Sequence, residues 1–83
     1  MLKVHTESGS VYEFDMDNLK MRRVPKTKAK KYQLRQDKDW LQMLIRPEIE
    51  VGYRIGITLQ GLHDPEEVTF RTTTPVTLIE GDD

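Results

Sequence analysis

The fold of this chain is decided by residues 49–59, which read IEVGYRIGITL. Apolar side chains occupy every second position, and the positions between them are polar or glycine. Because side chains alternate between the two faces of a strand, this pattern predicts one long strand with a buried face, or two strands joined at a bend. The apolar positions are Ile49, Val51, Tyr53, Ile55, Ile57 and Leu59.

Two glycines, Gly52 and Gly56, fall on the opposite, outer face of this predicted strand. A glycine within a strand permits sharp coiling or a bulge, because no side chain restricts the backbone there. The central stretch therefore predicts a small, strongly curved sheet or barrel, but it indicates no particular chemistry.

The N-terminal residues predict a β-hairpin. Alternating apolar residues flank a three-residue loop, Glu7-Ser8-Gly9, in which Gly9 takes the left-handed position of a type I turn followed by a bulge. In this register the apolar faces of the two strands coincide. The predicted pairs are Thr6 with Ser10, Val4 with Tyr12, and Leu2 with Phe14.

Further short strands are predicted at residues 19–24, 39–45, 68–72 and 76–78, where apolar residues alternate. Residues 39–45 also fit one helical turn, but a strand or irregular structure is preferred because Pro47 follows closely. Short strands and frequent turns favour an all-β fold, a small five- to seven-stranded antiparallel barrel or sandwich, with an SH3-like barrel preferred.

Length and composition predict a single all-β domain over residues 1–83. It carries a basic loop or extended hairpin at about residues 20–38 and a short acidic tail at residues 80–83. The chain has no cysteine, which excludes disulfides and agrees with a reducing compartment. No apolar run approaches the roughly 20 residues that span a bilayer, so we expect a cytoplasmic protein with no membrane partner.

The net charge of −1 conceals a strong asymmetry. Between Lys20 and Arg35 there are eight Lys or Arg residues and no acidic residue, whereas all fourteen acidic residues lie elsewhere. The chain is therefore a basic segment within an acidic body.

This basic segment is the candidate contact surface. Several cations close together bind phosphate groups, and an aromatic ring gives a base a surface for stacking. The same charges suit an acidic protein surface, and the alternative is a solvated loop without a partner. The partner-binding candidates are Arg22, Arg23, Lys26, Lys28, Lys30, Lys31, Tyr32, Arg35 and Trp40.

Trp40 is the only tryptophan and has two interpretations. It packs over the core as a lid on the barrel mouth, or it faces a partner as an anchor. The second interpretation follows from the enrichment of tryptophan among the residues that dominate interfaces.

The sequence contains no established catalytic motif. It lacks a glycine-rich phosphate loop, Gly-x-Ser-x-Gly and His-Glu-x-x-His. The only histidines are His5 and His63, whereas a zinc site needs three or four converging ligands. We therefore expect no enzymatic activity, no cofactor and no metal site.

Three stretches, TESGSVYEFD at residues 6–15, MRRV at 21–24 and RTTTPVTLI at 71–79, look like those of small proteins found in phages of actinobacteria. The likeness covers both ends of the chain and leaves out the basic middle. It implies expression in the cytoplasm of a bacterial host, as an accessory factor acting on host machinery. It assigns no functional residue, because the shared motifs are turn and strand chemistry.

These observations predict a non-enzymatic interaction module whose basic segment binds nucleic acid or an acidic host protein. The alternative is a module for protein–protein contact or self-assembly that uses exposed strand edges, with the basic segment only a solvated loop. A homo-oligomer is one form that this alternative allows.

Overall fold

A computed structural model describes residues 1–24, 40–61, 64 and 66–81. These residues contain seven strands and no helix, and all the strand pairs within sheets are antiparallel. The strands are β1 (Leu2–Thr6), β2 (Val11–Asp15), β3 (Lys20–Val24), β4 (Leu41–Gln42), β5 (Gly56–Gln60), β6 (Val68–Thr72) and β7 (Val76–Gly81).

Five strands form one sheet in the order β4-β3-β2-β1-β7, while β5 and β6 form a second sheet. An isolated bridge between Met43 and Leu59 links the end of β4 to β5. The predicted all-β class is confirmed. In the described part of the chain the sheets do not close into a barrel, so the preferred SH3-like barrel is not confirmed.

The hairpin of β1 and β2 has the predicted register. Gly9 has a left-handed φ of 85°. Its N–H donates to the carbonyl of Thr6 (2.9 Å), and the Thr6 N–H donates to the carbonyl of Ser10 (3.0 Å). Glycine adopts this conformation without a steric penalty, which explains its position in the turn. The strand pairs include Leu2 with Phe14 and Val4 with Tyr12.

The core lies between the inner face of the five-stranded sheet and the buried side of β5. Strands of both sheets contribute residues to this core, so the two sheets share one hydrophobic cluster. The buried hydrophobic residues are Val4, Phe14, Met16, Met21, Leu41, Met43, Ile55, Ile57, Leu59 and Val76.

Only the second half of the central stretch forms a strand. Ile55 is fully buried just before β5, whereas Val51 and Tyr53 are 54% and 64% exposed. Gly52 has a left-handed φ of 95°, and the chain turns there. The prediction of one buried face over residues 49–59 is therefore wrong at these two exposed positions, and the alternative with a bend is closer.

The strand preferred for residues 39–45 is confirmed over β4. Leu41 and Met43 are buried, as the alternation predicts, but Ile45 is 63% exposed. The chain bends at Leu44 and Ile45, so the alternation ends there.

Strand β7 contains a bulge that the sequence pattern does not predict. Val76 lies opposite Thr6, but Ile79 rather than Leu78 lies opposite Val4, because the register shifts within the ladder. An extra residue on one strand moves the following side chains to the other face. Leu78 is consequently exposed, although a short strand with Val76 and Leu78 is correctly predicted.

Two predicted segments begin inside strands. Glu80 and Gly81, the first two residues of the expected acidic tail, belong to β7, and Asp82 and Asp83 lie outside the described residues. The first residues of the basic segment form β3, and residues 25–39 lie outside the described part of the chain.

Candidate functional site

Within the described residues, strand β6 pairs with β5 on one side and with no other strand. The Thr73 N–H donates to the Ile55 carbonyl (3.1 Å), and the Gly61 N–H donates to the Glu67 carbonyl (2.8 Å). Because backbone groups alternate in direction along a strand, odd-numbered residues here bond β5 and even-numbered residues present N–H and C=O to the open edge. The even-numbered residues of β6, whose backbone groups face the open edge, are Val68, Phe70 and Thr72.

The side chains of β6 are exposed along the whole strand. Val68 and Phe70 are 62% and 66% exposed, although their alternation is what predicts the strand. The register explains this exposure, because Phe70 lies opposite Thr58, on the face of β5 that points away from the core. The apolar side of β6 therefore faces outward.

Gly56 of β5 makes room for the ring of Phe70. A Cβ atom at position 56 would lie 3.0 Å from Cζ of Phe70, closer than side chains normally pack. A glycine inside a strand often marks such a close approach. The ring therefore rests partly on the outer face of β5.

Two more exposed apolar residues adjoin this face. The Leu44 N–H donates to the Thr58 carbonyl (2.9 Å), which places Leu44 beside β5. Ile45 lines a groove of about 400 Å³ that Gly56 and Thr58 also line. Clusters of exposed apolar side chains are typical of interaction surfaces. We name this surface the apolar patch, and it consists of Leu44, Ile45, Val68 and Phe70.

The edge of β7 differs from that of β6. Its ladder with β1 contains the bulge, its first residue, Val76, bridges Val51, and it ends at Gly81, which has a left-handed φ of 92°. Bulges and irregular ends hinder pairing with a further strand. Strand β6 pairs with β5 without a register shift, so its edge is regular along its whole length.

A row of alternating charge crosses the outer face of the five-stranded sheet. Glu13 lies between Arg22 and Lys3, and Lys3 lies between Glu13 and Glu80. Arg22 Nε donates to Glu13 Oε1 (2.6 Å), and the guanidinium lies 4.5 Å from the centre of the Trp40 ring. A cation over an aromatic face is attracted to it. In this row each cation lies beside an anion, so positive charge is not concentrated.

The structure describes three of the nine predicted site residues. Arg22 is held between Glu13 and Trp40, and Arg23 Nη2 donates to Ser10 Oγ (3.4 Å). Trp40 is half-buried on the outer face beside Arg22, rather than over the core as the lid interpretation expects. The others lie outside the described residues, and they are Lys26, Lys28, Lys30, Lys31, Tyr32 and Arg35.

The acidic side chains of Glu80 and Asp15 also contact neighbouring residues. His5 Nε2 lies 2.6 Å from Glu80 Oε2. Asp15 accepts hydrogen bonds from the side-chain amide (2.9 Å) and the backbone N–H (3.2 Å) of Asn18. These bonds lower the pKa of the Asp15 carboxyl because they stabilise its charged form. In the described part of the chain, no three His, Asp or Glu side chains are grouped to hold a metal ion.

Sequence reasoning did not select Val68 and Phe70 as site residues. Their alternation was visible, but the face on which they lie depends on the pairing of β6 with β5. A polar inner side, Thr69 and Arg71, was the available signal, since neither residue suits a hydrophobic core.

No protein-family model, curated protein or solved structure matches this chain. Among the residues that the structure describes, no helix is long and apolar enough to cross a membrane. What the candidate site can bind therefore follows from its own geometry.

Proposed function

We propose that this protein is a non-enzymatic interaction module that binds an extended segment of another protein along the open edge of β6. One observation carries the proposal: a regular strand edge with outward backbone groups also has exposed Val68 and Phe70 side chains. A strand added to such an edge forms main-chain hydrogen bonds, and its alternate side chains contact the neighbouring strand.

The chemistry of β6 suits an added strand. Natural proteins commonly protect edge strands with charges, proline or bulges. Strand β6 has one charged side chain, Arg71, and no bulge. A partner with apolar residues at alternate positions would cover Val68 and Phe70 and bond the outward N–H and C=O groups.

Two described cations of the basic segment support this function over binding through that segment. Arg22 is engaged by Glu13 and Trp40, and Arg23 is within hydrogen-bond distance of Ser10. A phosphate would have to compete with these contacts. Contact with nucleic acid or with an acidic protein would thus depend on cations between residues 26 and 35.

The location of the module is part of the proposal. The resemblance to small phage proteins supports a location in the cytoplasm of a bacterial host, where its partner would be a host protein or another phage protein. The absence of cysteine agrees with a reducing compartment.

Affinity capture from a nuclease-treated bacterial lysate tests the proposed function with a Phe70→Pro variant. Proline at position 70 removes the ring and an outward N–H but no hydrogen bond to β5, so it blocks strand addition and spares the hairpin. Leu78→Ala is the matched control, since it removes an exposed apolar side chain from β7. We expect Phe70→Pro to lose partners that the wild type and Leu78→Ala retain.

A variant with Gln at Lys28, Lys30 and Lys31 tests the basic segment in parallel. The proposal is contradicted if this variant loses the captured partners while Phe70→Pro keeps them. Steeply salt-dependent binding of a mixed-sequence oligonucleotide, lost in the Gln variant, would instead favour a nucleic-acid function, because phosphate contacts release counterions.

A further inference from the structure

We infer that a second copy of this chain occupies the β6 edge, paired antiparallel about a two-fold axis through Thr69. This inference rests on the proposed strand addition. The edge is self-complementary about Thr69. Val68 and Phe70 flank Thr69, and the oppositely charged Glu67 and Arg71 lie one residue further out.

The outward backbone groups restrict the registers that two copies can adopt. Val68 and Phe70 present N–H and C=O to the edge, whereas those of Thr69 bond β5. Hydrogen-bonded pairs form only where both residues point outward, so the two-fold axis must pass through a residue and not between two residues. An axis through Thr69 meets this condition and pairs Val68 with the partner's Phe70, twice by symmetry.

Charge selects Thr69 among the allowed axes. With the axis at Thr69, Glu67 lies opposite the partner's Arg71, and Arg71 lies opposite the partner's Glu67. These are non-hydrogen-bonded pairs, in which side chains approach most closely. An axis at Val68 or at Phe70 would place Glu67 or Arg71, respectively, opposite the partner's Thr69, and no ion pair would form.

Both charged side chains are available for this contact. Glu67 and Arg71 are exposed, and neither forms an ion pair with another residue in the described part of the chain. Opposite charges directly across two antiparallel strands stabilise the pairing, and like charges destabilise it.

The same register covers the exposed apolar side chains of β6. Val68 and Phe70 lie on the outer face. In this register Val68 of each copy lies opposite the partner's Phe70. Pairs of an aromatic and a β-branched residue are favourable across antiparallel strands. Four apolar side chains would form one continuous strip, which Leu44 and Ile45 extend on each copy.

Sedimentation of the wild type over a wide concentration range tests the association, and we expect a monomer–dimer equilibrium. Glu67→Arg and Arg71→Glu each replace two attractive contacts by two repulsive ones. We expect each variant to weaken the dimer roughly tenfold. The double variant, with both substitutions, exchanges the charges and should restore the wild-type dimer.

A mixture of the two single variants gives the sharpest result. The Glu67→Arg chain has two cations where the Arg71→Glu chain has two anions, so the mixture should form a heterodimer more stable than either homodimer. Recovery of the dimer on mixing also shows that both single variants are folded. Phe70→Pro should remain monomeric.

The inference is overturned if the wild type is monomeric throughout the range, or if neither the double variant nor the mixture restores the dimer. The proposed function fails by a different result. A monomer whose captured partners still depend on Phe70 would retain strand addition and exclude only the second copy as its occupant.

Discussion

Replacing Ile57 and Ile45 by alanine removes the same three carbon atoms from two different environments. Ile57 is 1% exposed and lies in the shared core, whereas Ile45 is 63% exposed on the apolar patch. The comparison separates the effect of burial from the effect of side-chain chemistry, because the residue type and the substitution are identical.

The expected losses of stability differ severalfold. Ile57→Ala should destabilise the protein by roughly 2–5 kcal/mol, because it removes buried carbons and leaves a cavity. Ile45→Ala should lose less than about 1 kcal/mol, since about a third of its side chain is out of water and no cavity forms. A domain of this size has a total stability of roughly 4–12 kcal/mol, so the first variant removes a large share.

Urea and thermal unfolding followed by circular dichroism measure both variants. A domain of this size loses about 4–8 °C of Tm per kcal/mol, so Ile57→Ala should melt at least ~8 °C lower. If the alanine variant does not fold, Ile57→Val tests the burial of the same side chain, with an expected loss of unfolding free energy of about 0.5–1.5 kcal/mol. Equal losses for Ile57→Ala and Ile45→Ala would refute the placement of Ile57 in the core.

Two other predictions concern the turns of the five-stranded sheet. Gly9→Val should destabilise the protein by roughly 1–3 kcal/mol and Gly9→Asn by less, because asparagine tolerates a left-handed φ; equal losses in urea unfolding would contradict the turn geometry. Asp15 has a lowered pKa when folded, so it contributes stability above its unfolded pKa and loses that contribution as the pH falls through the folded value. In an NMR titration, Asn18→Ala removes the side-chain amide but keeps the backbone N–H, so it should raise the pKa of Asp15 toward its usual value; an unchanged midpoint would show that the side-chain hydrogen bond has no such effect.

The predictable part of the fold is the part that local chemistry determines. A glycine at the end of a three-residue loop specifies both the turn and the register of β1 with β2, and the observed φ of Gly9 agrees. The buried half of the central stretch, with Ile55, Ile57 and Leu59, is likewise predicted by its alternation.

The remaining part depends on contacts between distant segments. Alternation shows which side chains share a face, but the partner strand decides whether that face is covered. Val51 and Tyr53 alternate with Ile55 and yet are exposed, because the chain turns at Gly52. The apolar side of β6 faces outward for a related reason, since its orientation follows from the pairing of Phe70 with Thr58.

The candidate site was only partly visible in the sequence. Charge counting selected the basic segment, but it could not show that Arg22 is held by Glu13 and Trp40 across neighbouring strands. Such contacts require the sheet order, which short-range patterns do not contain. The β6 edge cannot be predicted from the sequence, because the exposure of its side chains depends on how β6 pairs with β5.

The position of β1 in the sheet has a consequence for the order of events during folding. Strand β1 lies between β2 and β7, so one side closes through a three-residue loop and the other joins Leu2 to Gly81, 79 positions away. Each doubling of loop length adds about 0.6 kcal/mol to the entropic penalty of closure, so closing the longer contact costs about 2.8 kcal/mol more. We therefore expect the hairpin to form ahead of the β1–β7 ladder, so that β1 has one paired edge and one unpaired edge until β7 joins the sheet.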